Sequence, residues 1–300
     1  MRRPPNVVSL GEVLWDMLPS GPQLGGAPAN FACHIRALGA NASLVSGVGQ
    51  DRLGDDALHL LQARGLDLAC VTRDPHRPTG TVVVDVDSDG QPRFEIVEHV
   101  AWDAIRATES ALDRVRRADA ICFGSLAQRT PEAGRAIRQL VAESPPTALR
   151  VFDINLRAPF YQADVVERSL ILANVLKLNE TELPVIAAQF GLHGSVEEQL
   201  DTLAGRFDLT TIALTLGAAG SRLYRAGRWS TEAGRIVSVI DAVGAGDSYT
   251  AALVIGLLLD WPTETLLTRA TDIAAFVCTQ AGATPQLPTR LLEPIAITLS

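Results

Sequence analysis

Among 300 residues only one is a lysine, Lys177, although 26 are lysine or arginine. That scarcity excludes a whole way of holding phosphate. A P-loop needs a Gly-rich turn ending in Gly-Lys-Ser/Thr, and Lys177 stands between Leu176 and Leu178. Protein-kinase chemistry goes with it, since neither an H-R-D-x-x-x-x-N loop nor a D-F-G accompanies Val175-Leu176-Lys177. The dinucleotide fingerprint G-x-G-x-x-G is missing too. Arg52 and Tyr249 stand where Gly47-Val48-Gly49 and Gly244-Ala245-Gly246 would need their third glycine.

Other absences narrow the field further. A net charge of −8 without a basic run argues against nucleic acid or an anionic membrane as partner. The longest apolar stretch, residues 251–259, lies between Asp247 and Asp260 and falls short of the roughly 20 residues of a membrane span. Arg2 and Arg3 precede only a modest apolar run that Glu12 and Asp16 interrupt, so no secretory signal is expected. Cys33, Cys70, Cys122 and Cys278 stand singly, as suits reduced thiols in a cytoplasmic protein. The five histidines are equally dispersed, with no H-E-x-x-H, and no catalytic transition metal is expected.

What is present reads as βαβ grammar. Short apolar strands at 7–10, 42–46, 120–123, 149–154, 175–178 and 211–214 alternate with helical segments at 28–38, 55–64, 131–142, 181–189 and 196–206. An α/β fold follows, with a mostly parallel central sheet and helices on both faces. Two extended runs, 81–87 and 93–98, are joined by Ser88-Asp89-Gly90-Gln91-Pro92, whose Asp-Gly step predicts a hairpin. With residues 13–18 they form an expected antiparallel β lid, contributed by about 12–20 and 80–103 to one domain spanning 1–300.

Two glycine turns carry the chemistry. Asp241-Ala242-Val243-Gly244-Ala245-Gly246-Asp247 opens an apolar helix over 248–259. Free amides of Gly244, Ala245 and Gly246 at a helix N-terminus can receive the charge of a transferring phosphoryl group, and the small residues let it come close. Asp247 in the first turn is the candidate general base toward an acceptor hydroxyl. Taken alone, the same residues also fit a glycine turn with an acidic cap. The second turn, Gly25-Gly26-Ala27-Pro28-Ala29-Asn30, precedes a helix with proline in its first turn. Its functional reading is a backbone-and-amide clamp on sugar hydroxyls, and its plain reading a helix start.

Together the two turns resemble the signatures of the ribokinase-type (pfkB) carbohydrate kinases. The first is similar to G-G-x-P-x-N-x-A followed by Gly39 and Gly49, and the second to D-x-x-G-A-G-D followed by Ala251 and Ala252. Ala242 departs from the Thr, Ser, Pro or Val usual at its place. The resemblance spans almost the whole chain and implies a ribokinase-like fold with ATP and Mg²⁺. It implies that Asp247 is the base over an anion hole of Gly244, Ala245 and Gly246. Asn179 and Glu182 resemble the family's N-x-x-E, which holds Mg²⁺ through water beside ATP, although by themselves they read as a capping pair. Thr215, Gly217 and Gly220 are similar to the nucleotide-binding turn. Asp241, the Val243 carbonyl and Gly282 resemble a monovalent-cation site for K⁺.

On the acceptor side, Gly11-Glu12-Val13-Leu14-Trp15-Asp16 and Asp153-Ile154-Asn155-Leu156-Arg157 look like the fructokinase versions. Asp16, Gly25, Gly26, Asn30 and Asn155 are then the sugar-binding residues, and Arg157 neutralises the γ-phosphate or is simply an exposed arginine. The lid segments offer Arg93 as their one basic residue, so a neutral sugar, fructose, is favoured over a phosphorylated one. Ribose, 2-keto-3-deoxygluconate or a nucleoside are the alternative acceptors, with Trp15, Phe94 and Trp102 either stacking on a base or packing the lid. The rival from another class is a non-catalytic sugar-binding protein of the same fold. Lid sheets in this family pair between subunits, which extends the resemblance to a homodimer.

Overall fold

The computed structural model describes residues 3–86 and 92–292; the side chains of 84–94 and the expected turn at 88–91 lie outside that description. The first third of the chain holds β1 (Asn6–Leu10), β2 (Leu14–Leu18), β3 (Gly21–Gly25), α1 (Ala27–Ala37), β4 (Asn41–Gly49), α2 (Arg52–Ala63), β5 (Asp67–Asp74), β6 (Gly80–Val86) and β7 (Pro92–Ile96). The middle holds α3 (Glu109–Arg116), β8 (Ala120–Phe123), α4 (Pro131–Ala142), β9 (Leu149–Asp153), α5 (Ala163–Leu172), β10 (Val175–Asn179) and α6 (Leu183–Phe190). The last third holds α7 (Val196–Phe207), β11 (Thr211–Thr215), β12 (Ser221–Arg225), β13 (Arg228–Glu232), α8 (Ala245–Leu258) and α9 (Thr263–Cys278).

The main sheet runs β13-β12-β11-β10-β9-β8-β1-β4-β5, and every pairing from β11 to β5 is parallel. Strands in such a sheet are covered on both faces, which is why β8 and the first four residues of β10 are buried throughout. Their side chains alternate between two cores. Cys122, Val151 and Val175 face α1, α8 and α9, whereas Ile121, Phe152 and Leu176 face α3, α4, α5 and α7. The same alternation turns Asp153 and Lys177 toward the α8 side.

From β1 the chain steps out through β4 to β5, then returns to build β8 to β11 on the other side of β1. That reversal leaves a crevice at the carboxyl ends of β1 and β8, the place where open parallel sheets bind ligands.

A second sheet, β3-β2-β6-β7, lies over this end. Both outer pairings are antiparallel, while β2 and β6 run parallel because they come from separate stretches of chain. Pairing ends at Ile96, short of the expected limit at 103. Residues Ala101–Ala104 instead tuck beside β4 in a short 3-10 turn, with Trp102 fully buried and the Arg129 guanidinium 4.0 Å above its ring. β3 and β5, the β12–β13 hairpin, and helices α3, α5 and α9 are additions to the sequence reading.

Helix α8 is the most enclosed helix of its face, buried from Ser248 to Gly256. It can pack this closely on α9 because Gly256 has no side chain: a Cβ there would lie 2.8 Å from Leu266 Cγ and 3.0 Å from Trp261. Gly256→Ala is expected to cost about 1–3 kcal/mol through overpacking, despite a helix-propensity gain of about 1 kcal/mol. Urea unfolding measures the difference, and an unchanged or raised midpoint would refute this account of the α8–α9 contact.

Candidate active site

The pocket at the sheet's reversal is lined by Ser9 of β1 and Glu12 just after it, Cys122 to Leu126 around the end of β8, Asp153 and Asn155 at the end of β9, Pro28 and Phe31 of α1, and Asp247 of α8. Five elements thus deliver side chains to one point, from Ser9 near the start of the chain to Asp247.

The α8 end begins at Gly244. Its φ of +78° is left-handed, and a Cβ would lie 2.2 Å from the Ala283 carbonyl oxygen, so only glycine fits. The first bond of the helical ladder runs from Ser248 N–H to Gly244 O, at 2.9 Å. Amides 245–247 therefore belong to the first turn, where no intrahelical acceptor exists, and Ala245 N–H reaches only back to Ala242 O at 3.3 Å. Asp247 points from this turn to α1, and its Oδ2 accepts from Asn30 Nδ2 at 2.9 Å. The two glycine turns, 217 residues apart in that pair, are joined by this one hydrogen bond.

Burial pushes the Asp247 carboxyl up to about 6, and the neighbouring Asp153 charge adds to the rise; Asn30, Lys177 and Arg157 oppose it. Beneath the turn, Lys177 Nζ lies 3.2 Å from Asp153 Oδ1, and Thr250 donates to Asp153 Oδ2 at 2.7 Å. Lys177 and Asp153 are directly opposite each other in register on β10 and β9.

The remaining expected residues fall into three groups around this centre. On the lid side, Gly26 (φ +103°) brings α1 within reach of the Glu12 carbonyl, which a Cβ would meet at 2.4 Å, and Asp16 Oδ2 packs over Gly25. Burial raises the Asp16 carboxyl, with Arg157 lowering it and Asp241 raising it. Asn155 holds a left-handed φ of +44° in the pocket wall, and Arg157 is exposed, donating to the Leu156 carbonyl at 3.1 Å.

Across the sheet, Asn179 and Glu182 do form the capping pair. Asn179 Oδ1 accepts from Glu182 N–H at 3.0 Å, and Glu182 Oε2 accepts from Asn179 N–H at 2.8 Å. Glu182 does more than cap, because its Oε1 accepts from Leu156 N–H at 2.9 Å and so fixes the segment that carries Asn155 and Arg157. Thr215 stands opposite Asn179 in register, followed by Gly217 and Gly220 in the turn to β12.

Behind the α8 turn, Asp241 accepts from Val243 N–H at 2.9 Å and Gly282 N–H at 3.1 Å, tying the two loops together. His34 supports the same corner, its Nε2 being 2.9 Å from the Ala283 carbonyl. Burial pulls that imidazole down to about 4, so it is neutral and donates its Nε2 proton.

Two expected aromatic platforms are used for packing. Trp15 is buried and donates to the Leu53 carbonyl at 2.9 Å, and Trp102 lies in the main core. The side chain of Phe94, like that of Arg93, lies outside the described residues.

The chain from 22 to 290 matches the model of the pfkB family carbohydrate kinases. The chain belongs to this family. A fructokinase of Klebsiella pneumoniae is 30% identical over 296 residues, covering 93% of this chain and 95% of that one. Two solved structures share the ribokinase-like α/β fold closely. A sugar kinase of Pyrococcus horikoshii in complex with ATP has a TM-score of 0.84 at 26% identity, over 98% of this chain and 100% of its own. A fructokinase of Vibrio cholerae with fructose, ADP and calcium bound has a TM-score of 0.79 at 26% identity, over 96% and 98%.

Two residues of the site escaped sequence reasoning. Lys177 stood out as the one lysine of the chain, but without a Gly-Lys loop it was given no part in the site. Glu12 followed a strand end, yet was read as an interruption of an apolar run. It is buried, and that burial pushes its carboxyl up to about 7, with Asp247 adding and the Ala27 amide and Arg157 opposing. A folded-state pKa raised above the unfolded value of 4.5 means that stability is greatest below about 4.5 and falls as pH rises through about 7. The loss is on the order of 3 kcal/mol. Glu12→Gln is therefore expected to gain stability relative to the parent protein between pH 5 and pH 8, read as a growing difference in denaturation midpoint. A difference independent of pH would show that Glu12 is not held protonated by the fold.

Proposed function

We propose that this carbohydrate kinase transfers the γ-phosphate of ATP to a hydroxyl of a neutral sugar, with fructose as the first acceptor to test. The observation that carries the reading is Asp247 at the open N-terminus of α8, held by Asn30 and facing the pocket at the carboxyl ends of β1, β8 and β9. In this reading the acceptor hydroxyl lies against Asp247, with Asp16, Asn30, Asn155 and the Gly25-Gly26 turn orienting the sugar. Its oxygen attacks the γ-phosphorus, the bond from phosphorus to the β–γ bridging oxygen breaks, and ADP leaves. The hydroxyl proton passes to Asp247, late in a loose transition state that asks little of the base. Amides of Gly244, Ala245 and Gly246 receive the charge on the transferring group, and Arg157 adds a cation at the pocket mouth.

The nucleotide would extend from this turn toward Asn179, Thr215, Gly217 and Gly220, whose strand tips adjoin. Among the described residues no cluster of three or more metal-ligating side chains occurs. The donor set nevertheless fits Mg²⁺, which binds mainly through substrate phosphates and water with one or two carboxylates. Glu182 is the residue that would reach its water shell, and the bound ion would neutralise phosphate charge. Asp241, the Val243 carbonyl and Gly282 form the corner proposed for K⁺. A cytoplasmic location goes with this reading, since ATP and reducing conditions for four thiols occur together there.

Fructose is supported by the fructokinases among the relatives and by the pocket, where Asp247 suits a hydroxyl donor and none of the described lining side chains is an arginine or lysine that would pair with an anionic acceptor. ADP release is expected with fructose above ribose, 2-keto-3-deoxygluconate and adenosine. Asp247→Asn is expected to lower kcat by about 100- to 10,000-fold. Because the base must be ionised, kcat/KM is expected to hold above about pH 6 and to fall below it. Turnover with none of these acceptors would leave a sugar-binding protein of the same fold, and an undiminished Asp247→Asn would overturn the mechanism.

A further inference from the structure

The one lysine of the chain lies beneath the turn that the proposed reaction uses. Lys177 is only 6% exposed, in the strand Val175–Asn179 with Leu176 and Leu178 on either side of it. Its ammonium has an ion-pair partner in Asp153 at 3.2 Å, and Gly246 covers it so closely that a Cβ there would lie 3.2 Å from Nζ. Asp153 in turn is fastened to α8 by Thr250, whose hydroxyl also contacts the Gly246 carbonyl at 3.0 Å. Lys177 is therefore part of a chain of contacts, β10 to β9 to α8, that ends on the glycine turn itself.

Stability alone does not account for this arrangement. A buried ion pair is often no better than well-packed apolar residues of the same volume, and both neighbours of Lys177 in the strand, Leu176 and Leu178, are fully buried apolar residues. An ammonium directly under a helix N-terminus places a second positive centre behind the same amides. It also comes at a cost, since the ammonium and the positive end of the helix repel each other except as Asp153 or an incoming anion offsets them.

We propose that Lys177 is a positioning residue for phosphoryl transfer: from beneath Gly246 it holds the glycine turn against the sheet and adds a fixed positive field where the transferring phosphoryl group gathers charge. It touches neither substrate and acts through the turn and Asp153. The inference rests on the reading of the turn as the phosphoryl site. Burial works against the ammonium, but the charges of Asp153, Glu182 and Asp247 together hold it protonated, so the field persists at neutral pH.

Uniqueness makes the test direct. Protein grown on lysine carrying ¹³C at Cε gives one lysine resonance. That resonance is expected to move when ADP, aluminium fluoride, Mg²⁺ and fructose assemble a mimic of the transferring group, and to move much less with ADP alone. Binding of the mimic by calorimetry without movement of the resonance would overturn the inference and spare the functional reading. Failure to bind ADP at all would overturn both. In kinetics, Lys177→Met is expected to lower kcat by about tenfold or more, with KM for ATP and sugar within about threefold. Since Lys177→Met strands Asp153 as a buried charge, Lys177→Met/Asp153→Asn removes both. A double variant that stays slow with KM unchanged supports the field, whereas one restored to within about threefold of the parent kcat shows that Lys177 only balanced Asp153.

Discussion

Lys177 and Asp153 meet 3.2 Å apart in the middle of an otherwise apolar sandwich, and Thr250 carries the second oxygen of Asp153 across to α8. This short chain of contacts sets where the first turn of α8 lies relative to the strand tips. From that turn Asp247 reaches Asn30, and from Asn30 the position of α1 and the Gly25-Gly26 turn follows. Apolar packing of α8 against α1 and α9 supplies the bulk of the attraction, but it is non-directional. Directional contacts are what bring an amide, a carboxylate and an ammonium to fixed places at the end of a helix that could otherwise slide.

The same cluster is electrostatically unfavourable in isolation. Glu12, Asp153, Asp247 and Glu182 gather where water is scarce, and for Glu12, Asp247 and Glu182 burial is the largest influence raising the carboxyl. Opposing it are Lys177, Arg157 and backbone amides, Glu182 alone accepting from two of them. A fold selected for stability would dilute such acids. Asp103 lies as deep elsewhere, but there Arg129 pairs with it directly; four acids gathered at the crevice of an α/β sheet around one lysine suit the proposed site, whose chemistry would use perturbed carboxylates.

Most of the architecture was legible because parallel strands buried on both faces read as short apolar runs: 120–123, 149–154, 175–178 and 211–214 all became strands of the main sheet. β5 escaped because Asp67, Arg73 and Asp74 lie in it and it sits at the sheet's edge, half wet, so its polarity obeys position rather than strand propensity. The glycine turns were legible because backbone geometry demands residues without side chains, and the structure shows the carbonyls of Glu12 and Ala283 where those side chains would be. Glu12 and Lys177 were not, because a single charged residue in an apolar run acquires meaning only from what packs beside it. Composition had even pointed at Lys177 and then set it aside: without a Gly-Lys loop the lysine lost its known route to phosphate, and nothing in one dimension reveals another route through Gly246.

The acid cluster also bears on which acceptor the proposed kinase takes. An ionised carboxylate only accepts hydrogen bonds, so Asp247 is matched by a hydroxyl donor, with Asn30 already spending an amide proton on it, whereas Glu12, raised to about 7, can also donate when protonated. In the proposed reaction a phosphorylated sugar would bring negative charge against Asp247, whereas the phosphates of the nucleotide would approach the open amides of α8 and the buried ammonium. Opposite faces of one glycine turn thus present opposite potentials to donor and acceptor. Burial is the largest cause of the raised Asp247 carboxyl and the Asp153 charge adds to it, so in the proposed reaction a charge that disfavours an anionic acceptor also strengthens the base. On that proposal, a substitution that removed the Asp153 charge would ease the approach of an anionic acceptor and weaken the base together.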